Sequence, residues 1–514
     1  MSRSRRFFTG LISSYAAIGV NILYTIGSVP LALHYLDNEQ FGLWALVTQM
    51  SCYLGLIELG MRGSVSRILS DYKDDKNGGE YGSVLRTGNV VFLIQGLVMA
   101  LCGVCLALSG PHLLDLPSKL HNSFTVFMMI QSLLGGAGLA LAGLTSPLWC
   151  HQRLDISSLI SSISLVVSFA LLWFGFSAGF GIYSMLSISV AGLVVGSSLG
   201  YICCKRLGFY PTDGHRGRYD HRIFKELIGY GSSLFLMNLG SQLASASQVI
   251  LISRIMGVES AAVWAISTKI YTMAHQFVAK VLDASVGGLT EMLVRGNQNG
   301  MRDKFSDIVA ISSIAAAVAG GGIILMNGPF VELWTEGKIS WHPWNNMLLG
   351  CALFFVSVTR CHTGLVGITK HIQGMKYINL VEGVFFVLLS LMLIPRMGFA
   401  GALLATLICN IGIAGAYAIS RTSDYFHISV YRVVAWSARP LLMLGLVLLC
   451  FALGQMLPEQ HGKAPLRFIV GAAIFAITIP LCLLTFGLKA NLRLQFVSLL
   501  KSSIAKIKNR RRAA

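Results

Sequence analysis

Long apolar runs alternate along this chain with short polar stretches that hold most of its Lys and Arg residues. Most runs are about 20 residues or longer, which at ~1.5 Å of rise per residue is what a helix needs to cross a hydrocarbon core about 30 Å thick. None shows the ten-residue alternation of membrane barrel strands. The pattern predicts about 14 transmembrane helices, near residues 9–33, 41–66, 86–109, 121–149, 155–175, 180–203, 225–253, 260–290, 305–327, 345–368, 376–395, 399–420, 434–455 and 466–487. The expected fold class is an all-α polytopic membrane protein, because a backbone in lipid must satisfy its own hydrogen bonds.

Composition agrees and narrows the function. Of 514 residues, 54% are hydrophobic and only 12% charged, with a mean hydropathy of +0.67, which excludes an ordinary soluble domain. The net charge of +18 lies in the short loops and tails, so it signals orientation rather than nucleic acid. Arg3, Arg5 and Arg6, then Arg67, Lys73 and Lys76, Arg153, the Lys205–Arg222 group, Arg295 to Lys304, Lys370 and Arg421 share one face. By the positive-inside rule that face is cytoplasmic, so the protein is expected in the cell (inner) membrane, multi-pass, with both termini in the cytoplasm. The first span is read as a retained helix rather than a cleaved signal. The 11 Cys lie mostly in or beside apolar spans without ligand spacing, so no metal or other cofactor is expected. No phosphate-binding loop, metalloprotease helix or nucleophile elbow is present, and the chain is read as a non-enzyme.

A repeat organises the chain. LDNEQFGLWAL at 36–46 and MGVESAAVWAI at 256–266 superpose Glu39 on Glu259 and Trp44 on Trp264. At the same offset His151 falls on His371 and Gly181 on Gly401. The expected organisation is two six-helix bundles related by an internal repeat, 1–203 and 225–420, joined by a cytoplasmic linker at 204–224. Two additional helices at 421–488 follow, then a basic amphipathic tail at 489–514 that would lie on anionic membrane lipids. The repeat also explains Asp37-Asn38-Glu39, which looks like a glycosyltransferase acidic motif. Glu259 holds the equivalent position, so a helix-start role accounts for both.

The candidate chemistry concentrates in Glu259–Glu291. Lys269, Thr272, Gln276, Lys280, Asp283, Gly287 and Glu291 fall on one stripe about 100° wide, with His275 off it. A charge at bilayer depth costs several kcal/mol unless it faces a bundle interior or water. Lys280 and Asp283 are expected to form a local pair near a membrane surface, whereas Lys269, about 15 Å in from Glu259, is the cavity candidate. In the first repeat Gln49, Gly60 and Gly63 replace Lys269, Lys280 and Asp283. Arg360 and His362, and Glu382 on the next helix, are further candidates, with an Arg360–Glu382 ion pair in reach. Asn238, Gln242 and Ser245 form a polar stripe on the seventh helix, Asn21, Thr25 and Ser28 one on the first, and Glu58 with Arg62 reads as a local pair.

FGLWALVTQMSCYLGLIELGMRGSVSRILSDY, with its Gly-aromatic start, later Glu-Leu-Gly and Arg before a charged loop, resembles the second helix of polysaccharide-type flippases. LWCHQRLDISSLISSIS resembles that family's connection between helices four and five. These flippases belong to the multidrug/oligosaccharidyl-lipid/polysaccharide exporter (MOP) superfamily. The resemblance implies a V-shaped pair of bundles working by alternating access. It implies export of an undecaprenyl-pyrophosphate-linked oligosaccharide for polysaccharide biosynthesis, beside polymerase or glycosyltransferase machinery. The substrate cavity would be lined by Lys269, Gln276, Arg360, Gln49, Asn238 and Gln242, and ion coupling would use Asp283, Glu382 and His275. Drug antiporters usually carry an Asp in the first helix and lipid II flippases an Arg-containing motif. SSYAAIGVNILYTIGSVPLAL has neither, and both remain alternatives. A membrane glycosyltransferase or polymerase would need a large outer loop, which the chain lacks.

Overall fold

The computed structural model describes residues 3–73, 79–151, 153–212, 214–339, 341–369, 372–456 and 464–482, and among them there are helices and no strands. In chain order the helices are α1 Arg3–Tyr35, α2 Asn38–Leu54, α3 Met61–Asp71, α4 Glu80–Leu113, α5 Ser118–Ala140, α6 Ser146–Cys150 and α7 Leu154–Ser177. Then come α8 Ser187–Ala191, α9 Ser197–Arg206, α10 His221–Ser245, α11 Ser247–Met256, α12 Val258–Ser267 and α13 Lys269–Val294. The last are α14 Gln298–Trp334, α15 Pro343–Ile368, α16 Ile372–Met397, α17 Phe399–Cys409, α18 Ala416–Phe426, α19 Val430–Met456 and α20 Ala464–Cys482. The tail expected at 489–514 lies outside the described residues.

Among the described residues, 11 segments are long and apolar enough to cross a membrane. The other expected spans differ for physical reasons. Those at 225–253 and 260–290 each resolve into two helices, α10 with α11 and the short apolar α12 with the polar-rich α13; α20 is described only to Cys482. The span expected at 41–66 is also broken. After α2 the chain tightens into a 3₁₀ turn over Gly55–Glu58, then Leu59 (φ 51°) and Gly60 (φ 70°) take the left-handed conformation before α3 begins. Glycine adopts that conformation without a steric penalty; Leu59 does so at a cost of about 1–3 kcal/mol.

The 220-residue offset recurs in the structure. α2 starts at Asn38 and α12 at Val258, with Glu39 and Glu259 in their first turns. Widened, π-type turns occupy Gly192–Gly196 and Asn410–Gly415, which the offset overlays. α4 and α5 touch backbone to backbone at Gly96 and Gly136, and α14 and α15 do the same at Gly320 and Gly350. A Cβ on Gly136 would sit 2.5 Å from the Gly96 carbonyl oxygen, and one on Gly350 2.7 Å from that of Gly320. Small residues permit such approaches in membranes, where packing rather than water exclusion holds helices together. Asp37 caps α2, its carboxylate accepting from Gln40 N–H at 2.7 Å, which is the helix-start role read from the sequence.

By contacts the chain forms two compact units, Met1–Ile266 with His371–Cys409, and Ser267–Lys370 with Asn410–Ala514. This grouping cuts across the repeat. In the first unit α10 packs along α16 and against α3 and α4, Ser64 donating to the Leu227 carbonyl at 2.8 Å. The stretch expected to be a linker is docked there too. Tyr81 donates to the Phe209 carbonyl (2.8 Å), Tyr210 to the Leu144 carbonyl (2.5 Å), and the Asp220 N–H to Thr87 (3.1 Å). Two bundles at 1–203 and 225–420 remain our proposal for the duplicated elements. In the second unit α14 is central. Ile324, Phe354, Met443 and Leu444 form one buried cluster, and Phe305, Leu365 and Phe426 another.

Candidate functional site

Within the second unit, α13 and α15 bring three charged side chains together. Arg360 donates to Asp283 at 3.1 Å, and Lys280 reaches the other carboxylate oxygen of Asp283 at 3.5 Å. The Lys280–Asp283 pair is the local one expected from the i, i+3 spacing. The partner of Arg360 within this unit is Asp283, a pairing the sequence did not suggest. Two cations share one carboxylate, so the group carries one net positive charge. Asp283 is 11 residues, about 16 Å, from the end of α13, and Arg360 eight residues, about 12 Å, from the end of α15, so both lie within the length of their helices. The side chains of Arg360, Asp283 and Lys280 are 44%, 39% and 33% exposed, so this cluster is reachable rather than sealed in the core.

The other candidates of this unit are spread along α13. Lys269 opens the helix, half-buried, without an ion-pair partner among the described residues. It stands 14 residues from Asp283, about 21 Å along the helix, so Lys269 and the Arg360 group are two separate cationic positions. His275 lies between them, its Nδ1 3.4 Å from the Ser357 hydroxyl, and Gln276 is exposed. The turn between α12 and α13 is held by Asn327, whose amide donates to the Ser267 carbonyl (3.1 Å) and to Asn346 (2.9 Å). His362 belongs to the core. It is buried, 3.0 Å from the Thr422 hydroxyl, and packed between Phe305 and Trp436.

In the first unit the break after α2 forms the floor of a cleft of about 470 Å³, with α10 as its wall. Its lining includes Glu58, Gly60, Phe235, Asn238, Ser241 and Gln242, so two predicted residues, Asn238 and Gln242, meet here. Glu58 pairs with Arg62, both oxygens at 3.2 Å, one from the Arg62 backbone N–H at the start of α3 and one from its guanidinium. The freed Glu58 carbonyl accepts from the Gln95 amide at 3.1 Å. Tyr53 donates to the Gln242 carbonyl (3.3 Å) and lies 2.5 Å from the Ser247 hydroxyl, tying α2 to α10 and α11. Non-helical backbone within a membrane span is tolerated where it is buried in protein or lines a wet cavity. Gln49 is half-buried on α2, outside the cleft lining, and Glu382 is half-buried on α16. The sequence reading missed the break and Gln95. The signals available were Gly55 and Gly60 flanking LIEL, and an amide deep in the apolar span at 86–109.

Comparison with known proteins places this architecture. A family model described as polysaccharide biosynthesis protein matches residues 9–286. No curated protein sequence matches the chain significantly. Among solved structures, the lipid II flippase MurJ in an inward closed conformation is similar with a TM-score of 0.67 at 14% identity, covering 92% of this chain and 98% of that one. An inward-facing MATE family multidrug resistance transporter of the MOP superfamily has a TM-score of 0.62 at 14% identity, covering 82% of this chain and 99% of that one. A MOP superfamily transporter from Pyrococcus furiosus described with a reversed binding-pocket polarity has a TM-score of 0.59 at 12% identity, covering 82% of this chain and 96% of that one. With the fold of these transporters and a family match over more than half its length, the chain belongs to the polysaccharide biosynthesis protein family.

Proposed function

We propose that the protein moves an undecaprenyl-pyrophosphate-linked oligosaccharide from the cytoplasmic to the outer leaflet of the cell membrane, by alternating access and without changing it chemically. The observation that carries this reading is the net positive group of Arg360, Lys280 and Asp283 within the span of α13 and α15. An anionic headgroup cannot enter a low-dielectric path without a compensating charge. Lys269 supplies a second cation about 21 Å away, so the headgroup meets two positions rather than one pocket. Family membership and the fold shared with a lipid II flippase support the same reading. The polyprenyl tail stays in lipid. Asp283, Glu382 and His275 are the groups proposed to exchange protons with the cycle. Both termini are placed in the cytoplasm, beside anionic lipids and the polymerase or glycosyltransferase machinery that would consume the product.

The test is flipping of a fluorescent undecaprenyl-pyrophosphate-linked sugar in proteoliposomes. A charge-assisted hydrogen bond contributes about 1.5–3 kcal/mol, so Lys269→Ala and Arg360→Ala should each slow flipping by roughly 10- to 150-fold with protein still folded. Lys269→Arg should retain part of the rate. Wild-type rates in both Ala variants would refute the cationic role.

A further inference from the structure

We infer that the cleft between the broken second helix and α10 is a saccharide-binding site, a reading that rests on the proposed transport of a lipid-linked sugar and assigns that sugar a place. Size comes first. About 470 Å³ falls inside the range of small-molecule pockets, roughly 300–1,000 Å³, and is far larger than the cage of an ion held at about 2.3–2.6 Å.

Charge excludes the other half of the substrate. The charges of Glu58 and Arg62 cancel, and among the described residues no other charged side chain lines the cleft, so nothing described there attracts a pyrophosphate. What remains is hydrogen-bonding capacity. Asn238, Ser241 and Gln242 sit at i, i+3 and i+4 on one face of α10, and the side-chain amides of Asn238 and Gln242 have no partner among the described residues. Each amide offers two donors and an acceptor, the combination that vicinal hydroxyls satisfy in pairs. Glu58 still offers lone pairs beyond its two bonds to Arg62. Phe235, one turn before Asn238, gives an apolar surface for the C–H face of a sugar ring.

Preorganisation completes the argument. Gln95 holds the Glu58 carbonyl, and Tyr53 ties α10 to α2, so floor and wall are bound to neighbouring elements rather than left mobile. The site is therefore selective for a neutral polyhydroxy ligand, while the charged group on α13 and α15 serves the headgroup.

The experiment compares two probes on the full-length protein in nanodiscs, undecaprenyl pyrophosphate alone and the same lipid carrying a disaccharide. Wild type should bind the sugar-bearing lipid at least tenfold more tightly. Asn238→Leu with Gln242→Leu should remove that advantage and leave the bare lipid's affinity where it was. Equal losses for both lipids would overturn the assignment, because they would indicate a structural role. Saturation-transfer NMR with methyl glycosides of glucose, galactose and N-acetylglucosamine is the independent arm. Signals in wild type that vanish in the double variant support the saccharide site even if the bare lipid fails to bind, in which case the transport reading falls alone. No glycoside signal together with no sugar advantage in the lipid pair would refute the site.

Discussion

Replacing Gln95 by Leu probes the break in the second helix directly. Gln95 is 7% exposed, and its amide donates 3.1 Å to the carbonyl of Glu58, where the chain leaves the 3₁₀ turn and Leu59 and Gly60 turn left-handed. Leu keeps the volume and removes the donor, so a carbonyl without a helical partner loses its bond. A buried acceptor left unsatisfied costs about 1–3 kcal/mol, toward the low end if cleft water replaces the amide. At 1.4 kcal/mol per tenfold, local opening around residues 55–62 should rise by roughly 5- to 150-fold. Hydrogen-exchange mass spectrometry in nanodiscs reads this as faster exchange of peptides covering those residues, with peptides from α14 and α15 unchanged. Unaltered exchange at 55–62 in a folded variant would refute the idea that Gln95 stabilises the break.

Two further outcomes follow from the packing. Asp37→Ala should lower stability by about 0.5–2 kcal/mol through loss of the cap on α2, measured by thermal unfolding in detergent, and flipping should persist without any response to added Mn²⁺; loss of a metal-dependent activity would restore the acidic-motif reading. Gly136→Val and Gly350→Val should each cost about 1–3 kcal/mol or more, because a Cβ there meets a backbone carbonyl at 2.5 and 2.7 Å. Their monodisperse yield on size exclusion should fall well below that of Gly138→Val, where a Cβ meets nothing within 4 Å.

The helices were readable because lipid imposes length and apolarity on each span. Asp37 was correctly read as a helix start because capping is local, settled within three residues. The break at 55–60 was hidden because GLIELG is apolar enough to continue a span; the Glu58 carbonyl it frees is met by Gln95, 37 residues away, which hydropathy cannot reveal. For the same reason Asp283 was not foreseen as the partner of Arg360. The reach from α15 to Asp283 depends on how α13 and α15 pack, not on distance from a membrane surface. His362 looked functional as an ionisable group in a span, yet Thr422, Phe305 and Trp436 come from three other helices to make it core. The docked stretch at 207–220 reads as a loop by composition, and only Tyr81, Thr87 and Leu144 from elsewhere in the chain anchor it.

The central claim is transport of an unmodified lipid-linked sugar, and one measurement addresses it most directly. Purified protein is reconstituted with a labelled undecaprenyl-pyrophosphate-linked oligosaccharide, and both leaflet accessibility and lipid mass are followed in the same vesicles. The expected result is that the label becomes accessible across the bilayer only in vesicles containing protein, while the mass of the lipid stays constant. A changed mass would mark an enzyme, and label that stays on its original side would contradict the account.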